Sequence, residues 1–239
     1  MQKIPRLIAA LDVETAAGAT GLVAALAGAV DYFKVGSRLF TAEGPGMIRE
    51  LKKSGVSVFL DLKFHDIPAT VAGSVRAAAG LGVDMMTIHA CGGLPMMRAA
   101  AEAAAETSLK NNTARPLIVG VTVLTSMSSE DLIDVSFYEG DVESLVLRRA
   151  KLAAAAGLDG VVASVREASA IRKELGPEFV IVTPGIRPAG ADSGDQKRVA
   201  SPGAAMESGS SFIVVGRPIY DAPSPRDAAE AILAQLRGK

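Results

Sequence analysis

Short, nearly unbroken apolar runs alternate with alanine-rich, helix-length segments along the whole chain. The runs are RLIAALD (6–12), DYFKVG (31–36), VSVFLDLK (56–63), VDMMTIHA (83–90), RPLIVGVTVL (115–124), LDGVVAS (158–164), EFVIVTPG (178–185) and SSFIVVGRP (210–218). A strand with one wet face alternates apolar and polar residues. Strands that stay apolar throughout belong to a parallel sheet covered on both faces. Eight such strands in 239 residues predict an α/β fold of the (β/α)8 TIM-barrel type. A doubly wound open sheet is the alternative. It usually has fewer strands and carries a glycine-rich turn after the first one, where this chain has LDVETAAGATG and no GxGxxG.

No Pro/Ser-rich linker or change of composition divides the chain, so residues 1–239 read as a single catalytic barrel domain. One connection stands apart. PGIRPAGADSGDQKRVASPG (184–203), between the seventh and eighth strands, is long, polar and glycine-rich, as expected of a mobile loop over a site.

Composition narrows the partners. Lys plus Arg total 25 against 26 acidic residues, which leaves no basic footprint for nucleic acid. The single cysteine, Cys91, precludes an intrachain disulfide and suits a reducing cytoplasm, and two histidines, His65 and His89, are too few for a His-rich metal site. GLVAALAGAV is half a bilayer long and reads as a packed helix, and the start lacks a signal-peptide cleavage pattern. The expectation is a soluble cytoplasmic protein without membrane or nucleic-acid partners.

In such a barrel, functional residues gather at the C-terminal ends of the strands. Those ends carry Asp12, Lys34, the group Asp61, Lys63 and Asp66, then His89, Thr125 with Ser126, and Arg217. Asp61 and Lys63 are two apart on a strand and so point to one side, the interior. An alternating array of ammonium and carboxylate groups is expected there, and a purely structural ion network stays open as the other reading. Gly216 lets a ligand approach the backbone, while Arg217, with Arg187 and Gln196 from the long loop, could grip a phosphate. Thr125 and Ser126 could read a heterocycle edge, and Ser128 or Ser129 is placed to cap a helix. His89 and Cys91 read as packing residues, Cys91 with no evident base beside it. Met85, Met86, Met96 and Met97 read as core filler.

FKVG, LDLKFHDIPATV, LTSM, PGIRP followed by DQ, and VGRPI together resemble the bacterial orotidine 5'-phosphate decarboxylase family, in order from Asp12 to Arg217. D-x-K-x-x-D alone marks a wider superfamily that includes magnesium-dependent sugar-phosphate decarboxylases and aldolases. The Thr-Ser, Arg-Gln and Gly-Arg segments narrow the resemblance. It implies cofactor-free decarboxylation of orotidine 5'-monophosphate to uridine 5'-monophosphate, the last step of de novo pyrimidine synthesis, with Lys63 as proton donor. Lys34, Asp61 and Asp66 would complete the charged array. Asp12 and Lys34 would hold ribose hydroxyls, Thr125 and Ser126 the pyrimidine, and Arg187, Gln196, Gly216 and Arg217 the phosphate, with Asp61 and Pro184 also touching substrate. Asp66, Ile67 and Thr70 would reach into a partner's site, making a homodimer with shared active sites. Ser37 and Cys91 depart from the family pattern outside its motifs. A nucleotide-binding barrel without catalysis is the remaining rival.

Overall fold

The computed structural model describes residues 4–136, 138–188 and 198–238. In them the strands are β1 (Arg6–Ala10), β2 (Tyr32–Gly36), β3 (Ser57–Phe64), β4 (Met85–His89), β5 (Leu117–Val121), β6 (Gly160–Val162), β7 (Val180–Thr183) and β8 (Phe212–Val215). All pair in parallel in chain order, and β8 returns to β1 to close the barrel. The helices are α1 (Ala16–Ala25), α2 (Ser37–Glu43), α3 (Pro45–Lys53), α4 (Pro68–Gly80), α5 (Gly93–Asn111), α6 (Ser129–Ser136), α7 (Val142–Ala155), α8 (Val165–Leu175), α9 (Pro202–Glu207), α10 (Arg217–Tyr220) and α11 (Pro225–Leu236). The (β/α)8 expectation is met, and each of the eight apolar runs contains a strand.

Two cores follow from the two-residue period of a strand. Ile8, Ala10, Tyr32, Phe59, Met85, Val119, Val182, Phe212 and Val214 fill the barrel interior. The intervening residues, such as Leu7, Ala9, Phe33, Val35, Val58, Leu60, Met86 and Ile88, pack outward against the helices. Both faces of every strand are thereby dry, which is why the runs read as unbroken. All four methionines singled out in the sequence are buried. At the floor, Tyr32 and Phe212 meet edge to face, ring centres 5.5 Å apart, under the Arg6 guanidinium.

Helix starts are set by side-chain caps. Thr15 accepts from the Gly18 amide and Asp141 from that of Ser144, while Ser164 and Glu167 form a reciprocal capping box on α8. The Ser128 hydroxyl accepts from the Asp131 amide while Asp131 accepts from that of Ser128, so the cap expected before α6 is present. Strands are shorter than their apolar runs where another group claims the backbone. Beyond β5, the carbonyls of Val123 and Leu124 accept from the buried Arg198 guanidinium at 3.1 and 3.0 Å instead of from a neighbouring strand.

Gly160 opens β6 against Val180 of β7, and a Cβ built there would lie 2.0 Å from the Val180 carbonyl oxygen. Backbone cannot yield as a side chain can. Gly160→Ala is therefore expected to destabilise the fold by at least the ~1–3 kcal/mol typical of overpacking, read as a lower urea midpoint. An unchanged midpoint would mean that this strand contact is not as described.

Candidate active site

Continuing the inward-facing residues of each strand toward the C-terminal mouth turns the interior from apolar to polar. Above Ala10 comes Asp12, above Tyr32 Lys34, above Phe59 Asp61, above Val182 Pro184 and above Val214 Gly216. These residues line a cavity of about 620 Å³, together with Lys63, Leu124, Thr125, Ser126, Arg187, Arg217 and Tyr220. A volume of this order suits a small molecule.

On one wall the charges form a chain. Lys34 Nζ lies 3.0 Å from Asp12 Oδ1 and 3.7 Å from Asp61 Oδ2, and Lys63 Nζ lies 2.9 Å from Asp61 Oδ1. The side chains of Lys34 and Asp61 are 11% and 14% exposed against 34% for Lys63, so Lys63 is the ammonium that opens into the cavity. Gly36 makes room for the first pair, because a Cβ there would meet Lys34 Nζ at 2.9 Å. Burial pushes the Asp61 carboxyl up, but the Lys34 and Lys63 charges and hydrogen bonds from Lys63 and Thr87 outweigh it and hold the group below the usual carboxylate range.

The backbone bends to present Lys63. Leu60 pairs with Met86 and Phe64 with Ile88, so β3 carries extra residues against β4 and bulges. Lys63 itself takes φ +53°, the left-handed region that a lysine rarely adopts. Its amide donates to the buried Thr87 hydroxyl at 2.8 Å, and that hydroxyl donates to Asp61 Oδ1 at 3.0 Å.

Arg187 and Arg217, which also line the cavity, supply cations of the guanidinium type that matches phosphate geometry. Gly216 follows β8 and Arg217 opens α10. Arg187 sits on one stem of the long loop, and the two stems pair, Arg187 N donating to Ala200 O at 2.9 Å and Ala200 N to Gly185 O at 3.2 Å. Gln196 lies outside the described residues. A cavity lined by ammonium, carboxylate and two guanidinium groups fits a phosphorylated, partly anionic ligand.

The orotidine 5'-phosphate decarboxylase / HUMPS family profile matches residues 5–232. The chain belongs to that family. It is 53% identical over 231 residues to an orotidine 5'-phosphate decarboxylase of Moorella thermoacetica, spanning 97% of this chain and 92% of that one. A relative of the same name from Syntrophotalea carbinolica is 50% identical, spanning 97% and 94%. The crystal structure of orotidine 5'-phosphate decarboxylase from Lactobacillus acidophilus superposes with a TM-score of 0.86 at 36% identity, covering 97% of this chain and 99% of that one.

Not every residue expected of an orotidine 5'-phosphate decarboxylase family site lines this cavity. Asp66, Ile67 and Thr70 lie off it in the exposed run 65–70, with Ile67 67% exposed. Asp66 accepts from the Ile67 amide at 2.6 Å. His89 is half-buried at the end of β4, tilted against His65 at 5.5 Å between ring centres, and burial together with His65, Lys63 and Arg149 lowers its pKa and favours the neutral ring. Cys91 corrects its expectation. It is exposed, and His65 Nδ1 lies 4.0 Å from its Sγ, because the turns after β3 and β4 run side by side. Among the described residues no group of three or more His, Cys, Asp or Glu is placed to hold a metal ion, and no helix is long and apolar enough to cross a membrane. Sequence reasoning missed Thr87 and Gly36, although their inward parity on β4 and β2 was a usable signal. Tyr220, one helical turn after Arg217, was also missed.

Asp61 binds its proton less tightly in the fold than in the unfolded chain. Its ionisation therefore stabilises the fold above the ordinary Asp value of about 3.9, and this contribution is lost as pH falls through the lower folded value. Below about pH 4 the melting temperature of the parent chain is expected to fall more steeply than that of Asp61→Asn. Parallel curves would contradict the ion pairing described.

Proposed function

We propose that this cavity decarboxylates orotidine 5'-monophosphate to uridine 5'-monophosphate without a coenzyme, Lys63 delivering the proton to C6. The observation that carries the reading is the Lys63 ammonium, held by Asp61 and lining a cavity that two arginines also line. Membership of the family and relatives named for this carboxy-lyase activity support it.

In the reaction the bond between C6 and the carboxylate breaks, the electron pair stays on C6 and carbon dioxide leaves. That pair lies in the ring plane and cannot spread into the π-system, so fixed charge must stabilise it. Lys63 gives its proton to C6 and regains one from solvent. An ammonium about 4 Å from the developing anion contributes about 4 kcal/mol at an effective dielectric of about 20, roughly a thousandfold in rate. The rest is assigned to binding energy from the phosphate end, where Arg187, Arg217, Gly216 and, from the loop, Gln196 act at a distance from the breaking bond. Asp12 and Lys34 take the ribose hydroxyls, Thr125 and Ser126 the pyrimidine edge, and Pro184 the base of the loop. Of the segment 184–203, expected as a mobile loop over the site, residues 189–197 lie outside the described residues.

A magnesium-dependent sugar-phosphate lyase is the near rival, since the family description includes such enzymes. Lys34 weighs against it. Its ammonium already lies between Asp12 and Asp61, so a cation of the protein's own occupies the space between these carboxylates.

The protein is expected to consume orotidylate, seen as loss of ultraviolet absorbance, at a rate EDTA does not change. Lys63→Ala should lower turnover by at least about a thousandfold while still binding uridylate. Activity that survives in the variant would remove Lys63 from its role.

The exposed segment Asp66, Ile67 and Thr70 is assigned to the site of a second copy. Two inactive proteins, Lys63→Ala and Asp66→Ala, should then recover part of the parent activity when mixed under conditions that exchange subunits. No recovery despite demonstrated exchange would mean that each chain holds a complete site.

A further inference from the structure

Thr87 is fully buried in β4, between Met86 and Ile88, and does not line the cavity. Nothing in the mechanism above uses it. Its hydroxyl nevertheless sits where β3 departs from regular pairing. Residues 61–63 face it across the bulge, since Leu60 still pairs with Met86 and Phe64 already pairs with Ile88.

Three hydrogen bonds close a ring there. The Lys63 amide donates to Thr87 Oγ1 at 2.8 Å, Thr87 Oγ1 donates to Asp61 Oδ1 at 3.0 Å, and Lys63 Nζ donates to the same Oδ1 at 2.9 Å. One hydroxyl thus uses a lone pair on the backbone of Lys63 and its single proton on the carboxylate that grips the side chain of Lys63. Among the described residues the other non-glycine residue with positive φ, Asn112, ends helix α5, a place where that conformation is ordinary. Lys63 has no such excuse within a strand. A sparsely populated backbone conformation persists only where its surroundings over-determine it. The amide bond to Thr87 is one such constraint, and the β-branched side chain on a packed strand is stiff enough to impose it.

We propose that Thr87 is a positioning residue for the proton donor: its hydroxyl holds the Lys63 backbone in the left-handed conformation and sets the Asp61 carboxylate, so that the ammonium points into the cavity. The inference rests on Lys63 being that donor. Thr87 does not touch substrate. It acts through two residues that do.

Thr87→Val keeps the shape of the side chain and removes both hydrogen bonds. Thr87→Ser keeps both and removes only a methyl group. The valine variant is expected to lose about a hundredfold in kcat, the scale of a roughly 1 Å misplacement of a reacting group. Its affinity for uridylate should match that of the parent, because the residues assigned to base and phosphate follow β5, β7 and β8. The serine variant should restore most of the turnover. Parent-like kcat in the valine variant would overturn the proposal. So would equal losses of turnover and uridylate affinity that serine does not repair, since those mark a packing role. If the valine variant does not fold, amide hydrogen exchange in the unmodified protein decides: slow exchange at Lys63 supports the tether, and exchange at the rate of an open loop refutes it. A parent protein inactive on orotidylate would sink the decarboxylase reading instead, and the exchange measurement would still judge the tether.

Discussion

Asp61 stands between two ammonium groups, with Lys34 3.7 Å from one oxygen and Lys63 2.9 Å from the other. A carboxylate so little exposed destabilises a fold unless its charge is answered, and a buried lysine carries the same penalty with opposite sign. Neither can be placed alone. Together they are tolerable, and the local structure is arranged around keeping them together. Gly36 withholds a side chain that would collide with Lys34, β3 bulges to bring Lys63 back over Asp61, and the Thr87 hydroxyl adds a hydrogen bond to the same carboxylate. Removing Asp61 would take from Lys63 its carboxylate and from Lys34 one of its two, so the ion chain is a constraint on the fold as much as on chemistry.

The barrel makes that arrangement reachable with short pieces of sequence. Each strand delivers inward side chains at every second residue, and neighbouring strands carry that series round the barrel. Apolar side chains occupy the lower interior, and the next inward position on β1, β2 and β3 is charged. The site is therefore the top layer of the same stack that forms the inner core, and its precision comes from strands rather than from loops.

This is also why so much could be read in advance. Unbroken apolar runs gave away strands dry on both faces, and the polar residues at or just beyond the ends of several runs gave away the mouth of the barrel. Thr87 escaped because a β-branched residue inside MMTIH looks like ordinary strand composition, and its hydroxyl matters only through a bulge on another strand. Arg198 escaped for the opposite reason. It falls in a polar, glycine-rich segment whose composition gives no sign of a core, yet it is buried, with Nη1 2.6 Å from Glu167 Oε1. Cys91 was misjudged because its neighbour His65 comes from the preceding strand's turn, a contact that chain order does not display. Periodicity reports which face a residue occupies. It does not report who meets it from the next element.

Arg198 bears on how the two ends of the cavity are joined. Its guanidinium pairs with Glu167 at the start of α8 and also donates to the carbonyls of Val123 and Leu124, immediately before Thr125 and Ser126. Two residues along the chain, Ala200 pairs with the stem that carries Arg187. A buried, multiply bonded arginine is a stiff link, because breaking one of its bonds strands a charge in a dry site. The wall assigned to the pyrimidine and the loop assigned to the phosphate therefore share one strut. On the proposed mechanism Lys63 alone would supply only part of the stabilisation that an in-plane carbanion requires, so binding energy gained at the phosphate would have to act at the ring. A rigid connection between those walls is the physical means by which a contact remote from the breaking bond can hold the reacting end in place.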